Sequence, residues 1–257
     1  MQCGPQTMIF DLDGVITFTA RVHAAAWKDL FDQYLRDRSQ RLGEAFRPFD
    51  VECDYLTYVD GKPRYDGVAS FLASRAITIP YGSPSDSPDA ETVCGLGNRK
   101  DLLFTEKLRE VGVDVDWEAV RLVRELRDLR VRVGLASSSR NAIPVLEQAG
   151  IHDLFDKIVD GIVSERLCLR GKPEPDIFLR CLADLDASAD AARSGIVEDS
   201  LSGVQAGRRG GVGLVLGVDR RNTGELARNG ANWVIHDFAN ITADQIVRFF
   251  ADHVRVA

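Results

Sequence analysis

The sequence predicts an α/β protein, in which a Rossmann-like, doubly wound parallel sheet carries an inserted α-helical domain. From about residue 117 onward, short apolar runs alternate with segments of helical periodicity, which is typical of a parallel sheet with helices on both faces. A separate apolar run at 7–12 precedes a long segment without a strong strand pattern. We therefore expect a core of residues 1–17 and 116–257 and a helical domain of residues 18–115.

Each element follows from its local pattern. In the first helix Val22, Ala26, Leu30 and Tyr34 recur at helical spacing, and Gly150 closes a later helix. The segment 37–64 is polar and is interrupted by glycines, which predicts mostly loop or short helix. The segment 79–98 is rich in Pro, Gly and Ser, which predicts an exposed connecting loop. The predicted strands span 7–12, 131–136, 194–198, 212–216 and 232–235, and the predicted helices span 20–36, 66–75, 117–129, 141–149, 175–185, 201–208, 222–229 and 242–252.

Composition excludes several classes of protein. The 257 residues are 45% hydrophobic and 28% charged, which is globular composition. The net charge of −7 argues against non-specific binding to nucleic acid or a membrane surface, and no apolar run approaches the roughly 18 residues of a membrane span. Without a basic residue before the first apolar run, we expect no signal peptide. We expect a cytoplasmic protein, in keeping with its cysteine pattern, and a monomer. Its five cysteines are expected to be reduced: Cys3, Cys53, Cys94, Cys168 and Cys181.

The first candidate site is the pair Asp11 and Asp13, which follows the apolar run and precedes Gly14. Residues i and i+2 of an extended segment point the same way, so two like charges are forced together unless a cation or proton is shared. A hard divalent metal, most simply Mg²⁺, meets that need. The alternatives are a turn and a calcium loop. The calcium loop fails, because Val15 and Val22 would occupy two of its ligand positions and valine has no ligand atom.

Three further motifs carry polar groups at similar places. Lys172 lies between Gly171 and Pro173 on a predicted loop before a helix. The alternative is an ordinary surface lysine, but the chain has only six lysines, which favours a specific role. Glu198 and Asp199 follow an apolar run, where an Asp helix cap is the alternative. Ser137 opens a serine cluster that suits either a helix cap or a phosphate cradle.

Taken together, four predicted strands end, in chain order, in Asp-x-Asp, Ser, Lys and Glu-Asp. The carboxyl ends of parallel strands meet at one crevice, where ligands bind. A carboxylate nucleophile, a second carboxylate for acid–base work, a hydroxyl, a cation and a metal clamp suit phosphoryl transfer through an aspartyl-phosphate.

These motifs, in this order over about 190 residues, resemble those of the haloacid dehalogenase-like superfamily. The resemblance implies that Asp11 attacks phosphorus, Asp13 shuttles the proton, and Ser137 and Lys172 hold the transferring group. It also implies Mg²⁺ as cofactor. The ligands implied for this metal are Asp11, Asp13 and Asp199, with Glu198 in support.

Residues 10–28 are most similar to the β-phosphoglucomutase-like subfamily, although Phe18 stands where that subfamily has an acid. The resemblance implies a phosphorylated sugar as substrate and a helical cap that selects it. The substrate-binding residues that it implies are Thr19, His23, Arg64, Lys100, Ser139, Arg140 and Asn141.

The preferred reaction is the interconversion of β-glucose 1-phosphate and glucose 6-phosphate. The nearest alternative is a sugar-phosphate phosphatase of the same chemistry, with a link to trehalose metabolism and with water as the acceptor. A non-catalytic sugar-phosphate-binding module is the alternative from another class, against which the complete set of Asp11, Asp13, Lys172 and Asp199 argues.

Overall fold

The computed structural model describes residues 4–186 and 188–253. These residues form two compact units. The first consists of the described residues up to Phe18 together with those from Asp114 onward, and the second is Thr19–Val113. The chain thus leaves the first unit once and returns to it once.

The first unit contains a six-stranded sheet with the order β3-β2-β1-β4-β5-β6. All its paired strands are parallel. This is the doubly wound arrangement that the sequence predicts, with β1 next to the point where the strand order reverses. The strands are β1 (Thr7–Phe10), β2 (Arg132–Ala136), β3 (Lys157–Val159), β4 (Ser194–Glu198), β5 (Leu214–Val218) and β6 (Trp233–Ile235).

The register of the central strands positions the candidate residues. Phe10 in β1 pairs with Leu135 in β2 and with Val197 in β4. All residues of β1, β4 and β5 are buried, as expected for strands covered on both faces. Asp11, the residue after Phe10, therefore lies beside the carboxyl ends of both neighbouring strands, β2 and β4.

The second unit is helical. Its α-helices are α1 (Ala20–Leu42), α2 (Arg64–Ser74) and α3 (Val93–Val111), and Tyr55–Val59 forms one π-helical turn. They enclose a core of aromatic rings, in which the centroid of Phe31 lies 4.0 Å from that of Phe71 and 5.2 Å from that of Phe49.

Two predictions for this unit were wrong in part. The first helix continues to Leu42 and stops where Gly43 takes a left-handed conformation, six residues beyond the predicted end. The predicted loop 79–98 ends early, because Thr92 caps α3 by accepting a hydrogen bond from the Gly95 amide at 2.9 Å. Gly95 and Gly97 therefore lie inside a helix, although glycine usually predicts a loop.

The remaining helices belong to the first unit. They are α4 (Trp117–Asp128), α5 (Ala142–Gln148), α6 (Gly161–Arg166), α7 (Asp176–Leu185), α8 (Leu201–Arg209), α9 (Glu225–Arg228) and α10 (Ala243–His253). Strand β3 and helix α6 were not predicted from the sequence, and the other predicted bounds in this unit differ from the observed ones by at most three residues. Both elements are too short for hydrophobic periodicity to identify them, since β3 has 3 residues and α6 has 6. In addition, β3 starts with an exposed Lys, which interrupts the apolar run expected of a buried strand.

Among the described residues, no helix combines the length and the apolar character needed to cross a membrane. Four cysteines lie in the described part of the chain, and all four are free thiols: Cys53, Cys94, Cys168 and Cys181. Cys3 lies outside the described residues.

Candidate active site

A buried ion-pair cluster lies at the carboxyl end of the sheet. The Lys172 ammonium donates to Asp11 Oδ1 at 2.6 Å and also donates to Glu198 Oε1. The side chains of Lys172 and Glu198 are fully buried, and that of Asp11 is 9% exposed. Asp11 is held at the sheet by its own amide, which donates to the Val197 carbonyl at 3.0 Å.

Burial controls the electrostatics of this cluster. Removal from water raises the pKa of Asp11 to about 8, with Glu198 and Asp13 adding to the rise and Lys172 opposing it. Burial alone would lower the pKa of Lys172, but the two carboxylates outweigh it and raise that pKa. Lys172 is therefore a fixed cation among several acids, and the acids outnumber it.

Lys172 reaches this position from a loop and not from a strand end. Strand β3 ends at Val159, and the short α6 separates it from the lysine. The prediction that Lys172 directly follows a strand was therefore wrong, whereas its predicted place on a loop before a helix is confirmed by α7, which begins at Asp176. The ring of Phe178 in α7 lies 4.9 Å from the Lys172 ammonium and closes one side of the cluster.

The loop after β1 turns sharply and packs against Asp199, the residue that follows β4. Gly14 adopts φ +89°, a left-handed conformation that glycine takes without strain, and its amide donates to the Thr17 carbonyl at 2.6 Å. A Cβ atom at Gly14 would overlap the carboxylate of Asp199. The absence of a side chain therefore lets Asp199 pack directly on the Asp11-Leu12-Asp13-Gly14 loop.

Glu198 is occupied on both oxygens. Oε1 accepts from Lys172, and Oε2 accepts from the amide and the hydroxyl of Ser200, each at 2.9 Å. The Ser200 hydroxyl in turn accepts from the Gly203 amide and caps α8. Glu198 thus fixes Lys172 to the start of a helix.

The serine cluster after β2 forms a chain of short turns. The Ser137 amide donates to the Val159 carbonyl at 3.0 Å, and the Ser137 hydroxyl accepts from the Ser139 amide at 3.1 Å. The Ser139 hydroxyl accepts from the amide of Asn141, the residue before α5. Arg140 forms a half-exposed ion pair with Glu165, at 2.7 Å. Ser137 is buried at the end of β2, next to the strand that carries Asp11.

Four further predicted residues lie in the helical unit. Thr19 precedes α1 and is buried, and His23 lies in the first turn of that helix. His23 Nδ1 is 2.5 Å from the Lys100 ammonium, and Lys100 is only 5% exposed. Arg64 begins α2 and forms an ion pair with Asp101 at 2.9 Å. The helical unit therefore brings His23 to Lys100 and Arg64 to the neighbour of Lys100.

The oxygen donors of the first unit fit a hard divalent cation. No group of three or more His, Cys, Asp and Glu side chains suited to a metal occurs among residues 4–186 and 188–253. The set implied by the family needs only two carboxylates, Asp11 and Asp199, with a backbone carbonyl at Asp13. The packing of Asp199 on the Gly14 turn and the excess of acids over Lys172 both suit such a set.

Two residues that contact this site were not predicted. Ser200 supports Glu198, and Arg220 donates from Nε to the Gly14 carbonyl at 3.2 Å. Arg220 lies two residues beyond β5, with Asp219 between them. The signal that identified the acids after β1 and β4 therefore points to Asp219 first, and Arg220 is found only through its contacts with residues 104 and 206 positions away.

Comparison with known proteins agrees with this fold. The family model of haloacid dehalogenase-like hydrolases matches residues 5–211. A β-phosphoglucomutase of Mycobacterium bovis is 46% identical over 237 residues, covering 91% of this chain and 90% of that protein. A β-phosphoglucomutase of Bacillus subtilis is 31% identical over 242 residues, covering 93% and 92% of the two chains.

Among solved structures, a β-phosphoglucomutase from Clostridium difficile superimposes with a TM-score of 0.76. The match covers 97% of this chain and 99% of that one at 24% sequence identity. At this identity the likeness establishes a shared fold.

Proposed function

Because this chain belongs to the haloacid dehalogenase-like hydrolase family and is a β-phosphoglucomutase-like enzyme within it, we propose that it interconverts β-glucose 1-phosphate and glucose 6-phosphate. The proposed reaction requires Mg²⁺ and passes through a phosphorylated Asp11.

The buried contact of Lys172 with Asp11 and Glu198 is the observation that carries this proposal. A carboxylate nucleophile attacking a phosphate needs nearby positive charge, because both partners are anionic. Lys172 supplies a charge that cannot move away, since it is fully buried and hydrogen-bonded on two sides. A binding module would also need a cation for the phosphate, but a carboxylate beside that cation would repel the ligand, and Asp11 is such a carboxylate.

In the proposed cycle Asp11 carries the phosphoryl group in the resting enzyme. The C6 hydroxyl of β-glucose 1-phosphate attacks that phosphorus, Asp13 takes the hydroxyl proton, and the bond from phosphorus to Asp11 breaks, which gives the 1,6-bisphosphate. After the bisphosphate rebinds reversed, an oxygen of Asp11 attacks the phosphorus at C1, the bond from that phosphorus to the sugar oxygen breaks, and Asp13 gives its proton to the oxygen that leaves. Lys172 and Ser137 hold the phosphoryl oxygens in both directions.

The metal site of the proposal consists of Asp11, the Asp13 carbonyl and Asp199. When bound there, Mg²⁺ would neutralise the charge that develops on the transferring phosphoryl group. Glu198 supports this site indirectly, because both its oxygens are engaged by Lys172 and Ser200.

Substrate selection is assigned to two groups of residues. Ser139, Arg140 and Asn141 are proposed to contact phosphate from the turns after β2. Thr19, His23, Arg64 and Lys100 of the helical unit are proposed to bind the sugar phosphate, with Arg64 gripping the phosphate that does not react. A guanidinium suits that task because its fork binds two phosphate oxygens at once.

The test is an assay of purified protein with Mg²⁺ and β-glucose 1-phosphate, primed with a trace of the 1,6-bisphosphate. Glucose 6-phosphate and inorganic phosphate are followed in parallel. We expect glucose 6-phosphate to form far faster than free phosphate and Asp11→Asn to abolish both. Free phosphate as the main product would identify a phosphatase, and the absence of turnover of any sugar phosphate would overturn the proposal.

Arg64→Ala tests the assignment in the helical unit, with Arg75→Ala as a matched control. Both arginine side chains are 13% exposed and form ion pairs, Arg64 with Asp101 and Arg75 with Asp54. We expect Arg64→Ala to raise the ratio of free phosphate to glucose 6-phosphate and Arg75→Ala to leave it unchanged. An equal ratio in the two variants would remove Arg64 from the proposed site.

A further inference from the structure

Arg220 contacts the turn that follows the candidate nucleophile. Its Nε donates to the Gly14 carbonyl at 3.2 Å, one residue beyond Asp13. The Gly14 amide is fixed on the other side by the Thr17 carbonyl at 2.6 Å. Both peptide groups that flank Gly14 therefore have a hydrogen-bond partner, and Arg220 supplies one of them.

The same guanidinium forms two more contacts. One terminal nitrogen forms an ion pair with Asp116 Oδ2 at 2.7 Å, and the guanidinium carbon Cζ lies 4.6 Å from the centroid of the Phe18 ring. The Asp116 side chain is 8% exposed and that of Arg220 is 27% exposed, so the ion pair is largely shielded from water. A lysine ammonium would lack the planar fork that reaches three partners in different directions.

Asp116 and Phe18 lie where the chain passes between the two units. Phe18 is the last residue of the first unit before the helical insertion, and the chain rejoins that unit at Asp114. The two crossings are joined to each other, because the Phe18 amide donates to the Asp114 carbonyl at 2.8 Å and the Asp116 amide to the Ile16 carbonyl at 2.9 Å. Asp116 also caps α4 through its other oxygen.

We propose that Arg220 is a positioning residue that holds Asp13 in place. It does this by connecting the Gly14 turn to Phe18 and Asp116, which lie at the two chain crossings. The role assigned to Asp13 rests on the proposed function. Arg220 reaches no reacting atom itself. Its effect passes through the Gly14 peptide, whose orientation determines where the preceding Asp13 points.

Asp13 is the proposed proton donor to the leaving oxygen, so a displaced Asp13 slows reactions in proportion to their need for that proton. A sugar alkoxide needs protonation to leave, whereas p-nitrophenolate leaves without it. We expect Arg220→Ala to lower kcat for β-glucose 1-phosphate about ten- to a hundredfold. The single-turnover rate of p-nitrophenolate release from p-nitrophenyl phosphate, which precedes the step in which Asp13 acts as a base, should fall less than about threefold. A merely structural loss would lower both by the same factor.

The matched control is Arg221→Ala, which removes the same charge from the adjacent, exposed position. We expect this variant to keep the wild-type rates with both substrates. Equal losses for the two substrates in Arg220→Ala, or equal effects of the two variants, would overturn the proposal.

Hydrogen exchange gives a readout that does not depend on activity. In Arg220→Ala we expect faster exchange in residues 12–18 and 114–116, with β4 and β5 unchanged. Uniform or absent change would overturn the positioning role. If the wild-type protein turned over neither substrate, the proposed function would fail, and the exchange result would still decide whether Arg220 holds the turn.

Discussion

Lys172 Nζ lies 2.6 Å from Asp11 Oδ1, although the two residues are 161 positions apart in the chain. The contact requires the loop before α7 to return to the end of β1. The same ammonium pairs with Glu198 at the end of β4. One buried cation thus joins three separate segments at the carboxyl edge of the sheet.

Replacing Lys172 by Met tests how much this cation contributes to the free energy of unfolding. The change leaves the fully buried Glu198 carboxylate without its counter-charge, so we expect the free energy of unfolding to fall by about 3–5 kcal/mol and phosphoryl transfer to be lost. Urea denaturation measures the first effect. The exposed Lys157 in β3 provides the control, since Lys157→Met should change stability little.

A double variant separates the two roles of Lys172. Lys172→Met combined with Glu198→Gln removes the cation together with the charge that it neutralises, and we expect it to recover part of the lost stability but no activity. Recovery of activity would contradict the assignment of Lys172 to the transferring phosphate.

Gly14→Ala tests the packing of Asp199 on the turn. The left-handed backbone costs an alanine about 1–2 kcal/mol, and its Cβ would also displace the Asp199 carboxylate. We expect lower stability and an increase of about tenfold or more in the Mg²⁺ concentration needed for half-maximal activity.

Gly211→Ala is the matched control for that variant. Gly211 has φ +68°, and no atom lies within 4 Å of the position that an alanine methyl group would take, so this variant carries the backbone strain without the clash. We expect a similar loss of stability and an unchanged Mg²⁺ requirement. Equal Mg²⁺ requirements in the two variants would show that Asp199 is not held by the Gly14 turn.

The acids after β1 and β4 could be predicted from sequence because local pattern and topology agree there. A buried apolar run fixes each strand, and parallel pairing then places the next residues at the same edge of the sheet. Asp11 and Glu198 needed no further information.

Lys172, Arg220 and Ser200 depended on information that the local pattern lacks. Lys172 is brought in by a loop whose course is set by α6 and α7, and α6 is too short to show a period. Arg220 forms its contacts with residues 104 and 206 positions away, which no periodicity reports. Ser200 matches a helix-cap pattern that describes its contact with Gly203 but not its contact with Glu198.

Thiol reactivity provides a test of burial that is independent of catalysis. Cys53 and Cys168 are exposed, whereas Cys94 and Cys181 are buried, and burial raises the pKa of the Cys181 thiol. Since the thiolate is the reactive form, we expect iodoacetamide to modify Cys53 and Cys168 but neither buried thiol in the folded protein. Peptide mapping by mass spectrometry reads out each site, with urea-unfolded protein as the control in which all four react. Modification of Cys181 at the rate of Cys53 would contradict the packing of α7 against the sheet.

In the proposed metal site, the pKa of about 8 at Asp11 would link Mg²⁺ binding to pH. Mg²⁺ binds the ionised carboxylate, so binding below pH 8 must displace a proton from Asp11. The apparent affinity should therefore rise about tenfold per pH unit between pH 6 and 8 and level off above that range. Calorimetric titration with Mg²⁺ in two buffers of different ionisation enthalpy should show about one proton released per ion at pH 6.5 and almost none at pH 9.

The same carboxyl group makes stability depend on pH when Mg²⁺ is absent. The folded state then holds the Asp11 proton at pH values where the unfolded state, with its ordinary carboxyl pKa of 3.8, has lost it. The free energy of unfolding should consequently fall as the pH rises from about 4 to 8, and Asp11→Asn should remove both that dependence and the proton release. Proton release that persists in Asp11→Asn would place the titrating group elsewhere in the cluster.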